Sequence, residues 1–206
     1  MSVAAEEPRT VVLFEGRSDR LAFEAVARRL GVDVAGETLV ELGGITNLRS
    51  FLTPRQGTDA QALGLYDGAE RQYVARVLRD IGMLRGDDLT VAGFFACERD
   101  LEEEVIRAAG PELVLETLAA RGELTRFRVF QRQPAQRVRS LEEQLHRFAG
   151  TASGRKSRFA ADVIEAVPIE RMPGPLVRLL DSVLSGVESA ASRTASQAES
   201  HRPGPS

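Results

Sequence analysis

Three apolar stretches of this 206-residue chain each run directly into carboxylates. Thr10–Phe14 leads to Glu15 with Asp19 beyond, and Ala62–Tyr66 leads to Asp67 with Glu70 beyond. Thr90–Ala96 leads, past Cys97, to Asp100 and Glu102. Short β-branched and aromatic runs bounded by turn residues read as strands buried on both faces. If these strands lie parallel in one sheet, all six acids emerge at its carboxyl edge, where open α/β sheets build their sites. Six carboxylates at one edge repel one another unless divalent cations sit among them. Mg²⁺ or Mn²⁺ suits such a cradle, because hard dications take oxygen ligands and keep several waters. Two such ions roughly 3.5–4 Å apart activate an attacking water and stabilise the leaving oxygen of a phosphodiester.

Each acid also has a plainer reading. Glu15 can pair with Arg17, and Ser18 or Asp19 can cap the helix that follows. Asp67-x-x-Glu70 and Asp100-x-x-Glu103 both match the capping box, and acids in a first turn complement the helix dipole. Recurrence at three strand ends favours function, as does Glu102, which capping does not need.

The elements that must position these residues alternate. A strand at Thr10–Phe14 precedes a helix over Ser18–Leu30, in which Phe23, Val26, Ala27 and Leu30 share one face and which Gly31 stops. A second strand spans Thr38–Leu42 and ends in Gly43-Gly44, after which Thr46 can cap a short helix carrying Leu48, Phe51 and Leu52. A loop over Thr53–Ala60 leads to the strand Ala62–Tyr66. Tyr73, Val74, Val77, Leu78 and Ile81 then mark a helix closed by Gly82. The strand Thr90–Ala96 and a helix over Leu101–Ala109 complete the rhythm, which argues for a parallel α/β sheet. Beyond Pro111 the pattern is mostly helical: Leu113–Ala120, a helix opening near Pro134, Phe159–Val167, and a last one carrying Leu176–Leu184. Phe127–Phe130 reads as a strand. From Ser185 the composition is that of a disordered tail.

Bulk properties narrow the classes. With 43% hydrophobic residues the chain can bury a real core. One cysteine and two histidines rule out an internal disulfide and a Cys/His zinc site. No apolar run is long enough to span a bilayer and the N-terminus lacks a signal-peptide pattern, so a cytoplasmic protein without membrane contact is expected. Net charge is only −3, but it is unevenly spread: Arg121–Arg158 holds ten Lys/Arg against three acids, whereas Glu98–Glu104 holds five acids and one arginine. A basic flank beside an acidic edge suits a polyanion held by arginines while metals do chemistry. Arg132, Arg137, Arg139, Arg155 and Arg158 are the candidates for nucleic-acid contact, against the alternative of a salt-bridged helical face. Phe127, Phe130 and Phe148 can stack on bases, but their spacing suits a core. Of 27 basic residues only Lys156 is a lysine.

The segments Glu15-Gly16-Arg17-Ser18-Asp19, Leu42-Gly43-Gly44, Gly64-Leu65-Tyr66-Asp67-Gly68-Ala69-Glu70 and Asp100-Leu101-Glu102 together resemble the TOPRIM domain as found in nucleases of the OLD (overcoming lysogenization defect) family. The resemblance covers residues 10–110 and extends loosely to Lys156-Ser157-Arg158-Phe159-Ala160, similar to a segment whose lysine assists cleavage. It implies a TOPRIM-type, Rossmann-like four-stranded sheet with flanking helices. By this likeness Glu15 and Asp19 serve one metal with Asp100 and Glu102, Asp67 serves the other with Glu70 close by, and Glu15 and Lys156 are catalytic. Most TOPRIM domains carry Asp-x-Asp where this chain has Asp67-Gly68-Ala69, with Glu70 one residue on.

The expected organisation is a tail over 1–9, a TOPRIM core over 10–110, a helical basic extension over 111–184 and a tail over 185–206. OLD proteins usually join this domain to an ATPase. Gly150–Ser157 departs from the P-loop pattern at Arg155, which occupies a glycine position, and follows a helical pattern instead of a strand. An ATPase is therefore expected only as a separate partner. The expected function is Mg²⁺- or Mn²⁺-dependent DNA hydrolysis, and a homodimer is compatible with it. The alternatives are a non-catalytic TOPRIM module binding nucleic acid or that ATPase, a primase-like nucleotide transferase, and a topoisomerase. The last would need Tyr66 or Tyr73, which fall inside a strand and on an apolar helix face.

Overall fold

The computed structural model describes residues 10–57, 60–151 and 153–186, with the side chains of 153–156 excepted. The expected tail over 1–9 lies outside the described residues, as does the expected tail over 185–206 from 187 onward, while 185 and 186 still belong to a helix. Strands β1 (Thr10–Phe14), β2 (Thr38–Glu41), β3 (Gln61–Asp67) and β4 (Phe94–Cys97) form one sheet in the order β2-β1-β3-β4. Every pairing is parallel, with Val11 opposite both Thr38 and Ala62, and Asp67 opposite Cys97. The carboxyl ends of all four strands therefore share one edge.

Alternation along the strands divides the core. Val12, Phe14, Leu63, Leu65, Phe95 and Cys97 face one apolar cluster, and Val11, Leu13, Ala62, Tyr66 and Phe94 face the other. This is the two-sided burial that continuous apolar strands require. Helix α1 (Arg17–Arg29) covers the first face through Ala22, Phe23 and Val26. Helices α2 (Leu48–Leu52) and α3 (Arg71–Asp80) cover the second. The chain runs from β1 outward to β2, then back past β1 to β3. Strands β1 and β3 thus flank the point where strand order reverses, and a crevice opens outside their carboxyl ends.

The helices after β4 are α4 (Leu101–Ala109), α5 (Pro111–Ala120), α6 (Leu124–Gln131), α7 (Leu141–Ala149), α8 (Ser153–Ile164) and α9 (174–186). They complete the first layer. Leu145, Phe148, Phe159, Val163, Ile164, Leu176 and Leu179 belong to the same apolar cluster as Phe14 and Phe23. Helix α8 lies along α1, where Arg29 donates to the Val167 carbonyl at 2.7 Å and Arg28 Nε to Glu165 at 3.0 Å.

Several expectations are corrected. Phe127–Phe130 is not a strand but the middle of α6, because helical spacing brings Phe127, Phe130 and Phe148 into one group with centroids 5.1–6.4 Å apart. Packing overrides the β-propensity of that stretch. Pro134 opens turns, not a helix; α7 starts at Leu141, where Ser140 and Glu143 close a capping box. β4 begins four residues later than Thr90, since Asp88 holds Thr90 in a turn and Gly93 adopts φ 80°. Thr46 caps nothing and sits within a 3₁₀ turn after Gly44. Gly31, at φ 72°, ends α1 as expected. The near-match to a P-loop follows α7, so no strand delivers it to a phosphate.

Gly64 sits where a Cβ would come within 2.7 Å of the Phe94 ring. That ring is itself buried and has nowhere to move. Gly64→Ala should therefore destabilise the fold by about 1–3 kcal/mol, as overpacking does, read as a lower urea midpoint at unchanged slope.

Candidate functional site: a carboxylate cleft at the sheet edge

Glu15 follows β1 directly, and Asp67 is the last residue of β3. Asp19 stands in the first turn of α1 and Glu102 in the first turn of α4. A cleft of about 420 Å³ gathers them: its lining includes Glu15, Asp19, Asp67 and Glu102, together with Gly43, Gly44 and Ser157. Two backbone features shape this cleft. Gly43 and Gly44 take φ of 71° and 126°, and Gly44 N–H donates to the Glu15 carbonyl at 3.0 Å. Gly68 N–H donates to the Arg99 carbonyl at 3.0 Å, so close to β4 that a Cβ on Gly68 would lie 2.1 Å from the Glu98 carbonyl oxygen. This approach brings the Asp67 turn against the one that carries Asp100.

The plainer readings separate residue by residue. Glu15 forms no ion pair with Arg17; its charge bears instead on Glu70 and Asp67. Asp19 reaches back to accept from Gly16 N–H at 2.9 Å, and Gly16, not Ser18 or Asp19, is the N-cap. The Asp67 side chain makes no cap hydrogen bond, so the capping box read at Asp67–Glu70 lacks its forward bond. Asp100 does cap α4, its Oδ1 accepting from Glu103 N–H at 2.9 Å. Its other oxygen is 2.7 Å from His146 Nε2 on α7. Spacing in sequence could not reveal that contact, because α7 and α4 meet only through the fold. The remaining acids of Glu98–Glu104 have structural tasks. Glu104 is buried, accepts from Glu98 N–H at 2.8 Å and pairs with Arg107, which also holds Glu98.

Electrostatics tie the cluster together. Burial, with Asp19, Asp100, Glu15 and Glu70 adding their repulsion, raises the Asp67 carboxyl to about 7. Burial raises Glu70 to about 7 as well, with Glu15 next in effect. Asp19 rises to about 6 for the same reason, with Glu102 and Glu15 contributing and the Gly16 N–H opposing. Cys97, buried beneath, is pushed up strongly and stays a thiol. All cleft donors are oxygens, and Glu70 Oε2 is buried without a hydrogen-bond partner among the described residues. That chemistry fits a hard dication. Among the described residues, however, no three His, Cys, Asp or Glu side chains stand close enough to hold an ion as placed. The acids are near enough to repel, and an ion would have to draw them inward.

Arg132, Arg137, Arg139 and Arg158 are not among the residues that line this cleft. Arg132 and Arg137 are exposed, Arg137 donating to the Arg132 carbonyl at 2.9 Å, and Arg139 donates to the Ala135 carbonyl at 3.2 Å. Arg158 stands 3.8 Å from Asp162, which Arg121 holds at 2.8 Å. The Arg155 and Lys156 side chains lie outside the described residues, although Ser157, next in α8, lines the cleft. Phe127 and Phe148 are buried in the core and unavailable for stacking. Among the described residues no helix is long and apolar enough to cross a membrane.

No protein-family model and no curated protein sequence matches the chain. Solved structures do. The C-terminal region of the Burkholderia pseudomallei OLD protein aligns with a TM-score of 0.65 at 17% identity, covering 88% of this chain and 100% of that one. The corresponding region of the Xanthomonas campestris pv. campestris OLD protein gives 0.62 at 23% identity, covering 91% and 99%. A further structure of that region gives 0.52 at 25% identity, covering 88% and 97%. The chain has the fold of OLD-protein C-terminal regions, in keeping with the TOPRIM motifs, and the likeness runs through the helices beyond residue 110.

The raised carboxyls fix a sign for stability. Between the ordinary carboxylate range and about 7, the folded protein holds protons that the unfolded chain has released, so stability falls as pH rises. The metal-free melting temperature should drop by several degrees from about pH 5 to about pH 8. Asp67→Asn should flatten that slope. Mn²⁺ should restore more stability at the higher pH, because binding needs ionised carboxylates. Differential scanning fluorimetry reads all three.

Proposed function

We propose that the chain is a Mg²⁺- or Mn²⁺-dependent nuclease that hydrolyses DNA phosphodiester bonds at this cleft. The observation that carries the reading is the convergence of Glu15, Asp19, Asp67 and Glu102 from three strand ends on one cleft, with protonation of Asp19, Asp67 and Glu70 favoured first by burial and then by the charge of neighbouring acids. The likeness to OLD-protein C-terminal regions supports it at the level of fold. Glu15, Asp19 and Glu102, with Asp100, would hold one ion, and Asp67 with Glu70 a second. Dications held there would lower the pKa of a bound water and offset charge on the phosphate.

The chain's own groups do the rest. Glu15, directly after β1 and lining the cleft, would take a proton from the attacking water. Asp100 is held by Glu103 N–H and His146, and its charge adds to the repulsion on Asp67. Lys156 would meet the charge developing on the phosphate or the leaving oxygen. The rival reading, a non-catalytic module binding nucleic acid or a separate ATPase, draws on Ala69 at the place of the usual second aspartate and on the present spacing of the acids.

Purified protein with supercoiled plasmid and Mn²⁺ separates the two. Cleavage is expected, with Glu15→Gln and Asp67→Asn each slower by about 100-fold, roughly 2.7 kcal/mol of barrier. Calorimetric titration should show Mn²⁺ uptake that both variants weaken. Intact plasmid at every protein concentration, together with metal uptake indifferent to these substitutions, would leave the binding module as the better account.

A further inference from the structure

A second concavity lies on the other side of Asp100. It measures about 330 Å³ and is lined by Arg99, Phe130, His146, Arg147, Gly150 and Thr151, with no carboxylate among them. Three segments build it: the turn between β4 and α4, the end of α6, and the end of α7 with the residues just after it. Arg99 is exposed, and its nearest acids, Asp100 and Glu103, stand at 3.9 and 3.8 Å, beyond hydrogen-bond range. Arg147 is also exposed and has no acid partner among the described residues. His146 Nε2 lies 2.7 Å from Asp100 Oδ2, which ties this concavity to Asp100, and Arg99 and His146 also line a neighbouring hollow that holds Glu98, Glu103, Glu142 and Glu143. Phe130, half-buried in the aromatic group, closes another side.

The chemistry of the two concavities is complementary. The carboxylate cleft repels a phosphate until cations enter it, so a polyanion must be gripped by groups alongside. Two guanidiniums with unspent donors match phosphate oxygens in fork geometry. An aromatic ring beside them offers a face or edge to a sugar or base. Asp100 links the two places, because it touches His146 and also raises Asp67 across the cleft.

We propose that the Arg99–Arg147 concavity is a backbone-phosphate subsite, holding a DNA phosphodiester that neighbours the one at the carboxylates. This rests on reading the cleft as the place of phosphodiester hydrolysis. The sequence singled out Arg132, Arg137, Arg139, Arg155 and Arg158 for DNA contact, whereas Arg99 and Arg147 become neighbours only through the fold. Phosphate contacts of this kind fix register and orientation without reading sequence.

The test is fluorescence anisotropy of a fluorescein-labelled DNA duplex, titrated in Ca²⁺ across a series of NaCl concentrations. The double variant Arg99→Gln/Arg147→Gln should bind about tenfold more weakly, and the slope of log affinity against log salt should fall by about 1, as loss of one phosphate contact does. Arg76→Gln/Arg85→Gln removes the same charge far from the concavity and should bind like the wild type. Equal weakening by both pairs, or wild-type affinity and slope in Arg99→Gln/Arg147→Gln, overturns the subsite. A wild-type protein that binds through this pair yet never cuts defeats hydrolysis and leaves the subsite standing. Cutting by the wild type with no effect of the pair on binding does the reverse.

Discussion

Repulsion among carboxylates at the carboxyl edge of a parallel sheet is the constraint around which this molecule is organised. Parallel pairing puts every strand end on one side, and the reversal of strand order between β1 and β3 opens a crevice there. The sequence loads that crevice with acids. Burial and like charge then push protonation of Asp67 and Glu70 toward neutrality. Such a cluster costs folding energy that the two apolar layers must offset, and it persists because the strand ends hold it rigidly. Sites whose own groups oppose one another in the resting protein are common places of function.

The helices beyond Pro111 are not an appendage to this arrangement. They share an apolar cluster with β1 and α1, and α7 reaches the site itself through His146 and Asp100. One oxygen of Asp100 caps a helix of the core and the other meets a residue forty-six positions later. The orientation of one edge carboxylate therefore depends on both parts of the chain. Buried Gln144 plays a parallel role, donating to the Gln136 and Arg139 carbonyls and so fixing the turn that precedes α7.

Much of this was legible in the sequence, because strand burial on two faces and helical spacing both leave periodic traces. Thr10–Phe14, Ala62–Tyr66 and Leu101–Ala109 were readable within two residues at each end. The convergence of Glu15, Asp19, Asp67 and Glu102 followed from parallel topology alone. What escaped were features decided by tertiary contact. The Phe127–Phe130 stretch has the composition of a strand and becomes a helix only because Phe148 waits beside it. Asp100 and His146, or Arg99 and Arg147, are joined by no spacing rule. Capping patterns were ambiguous for a related reason: the same motif is complete at Ser140, lacks its forward bond at Asp67, and is reduced to that bond at Asp100.

The lateral packing of α8 on α1 reaches further than the site. Phe23 and Val26 are wholly buried, and the cluster that buries them includes Phe159, Ala160 and Val163. Cut at residue 110, the chain would leave a greasy flank on the sheet's first layer and lose the ring that steadies Asp100. The motif-bearing half cannot be handled as a free-standing cassette. Any exchange of parts with related proteins would have to carry both halves across together, since the seam between them runs through the core and not along a hinge.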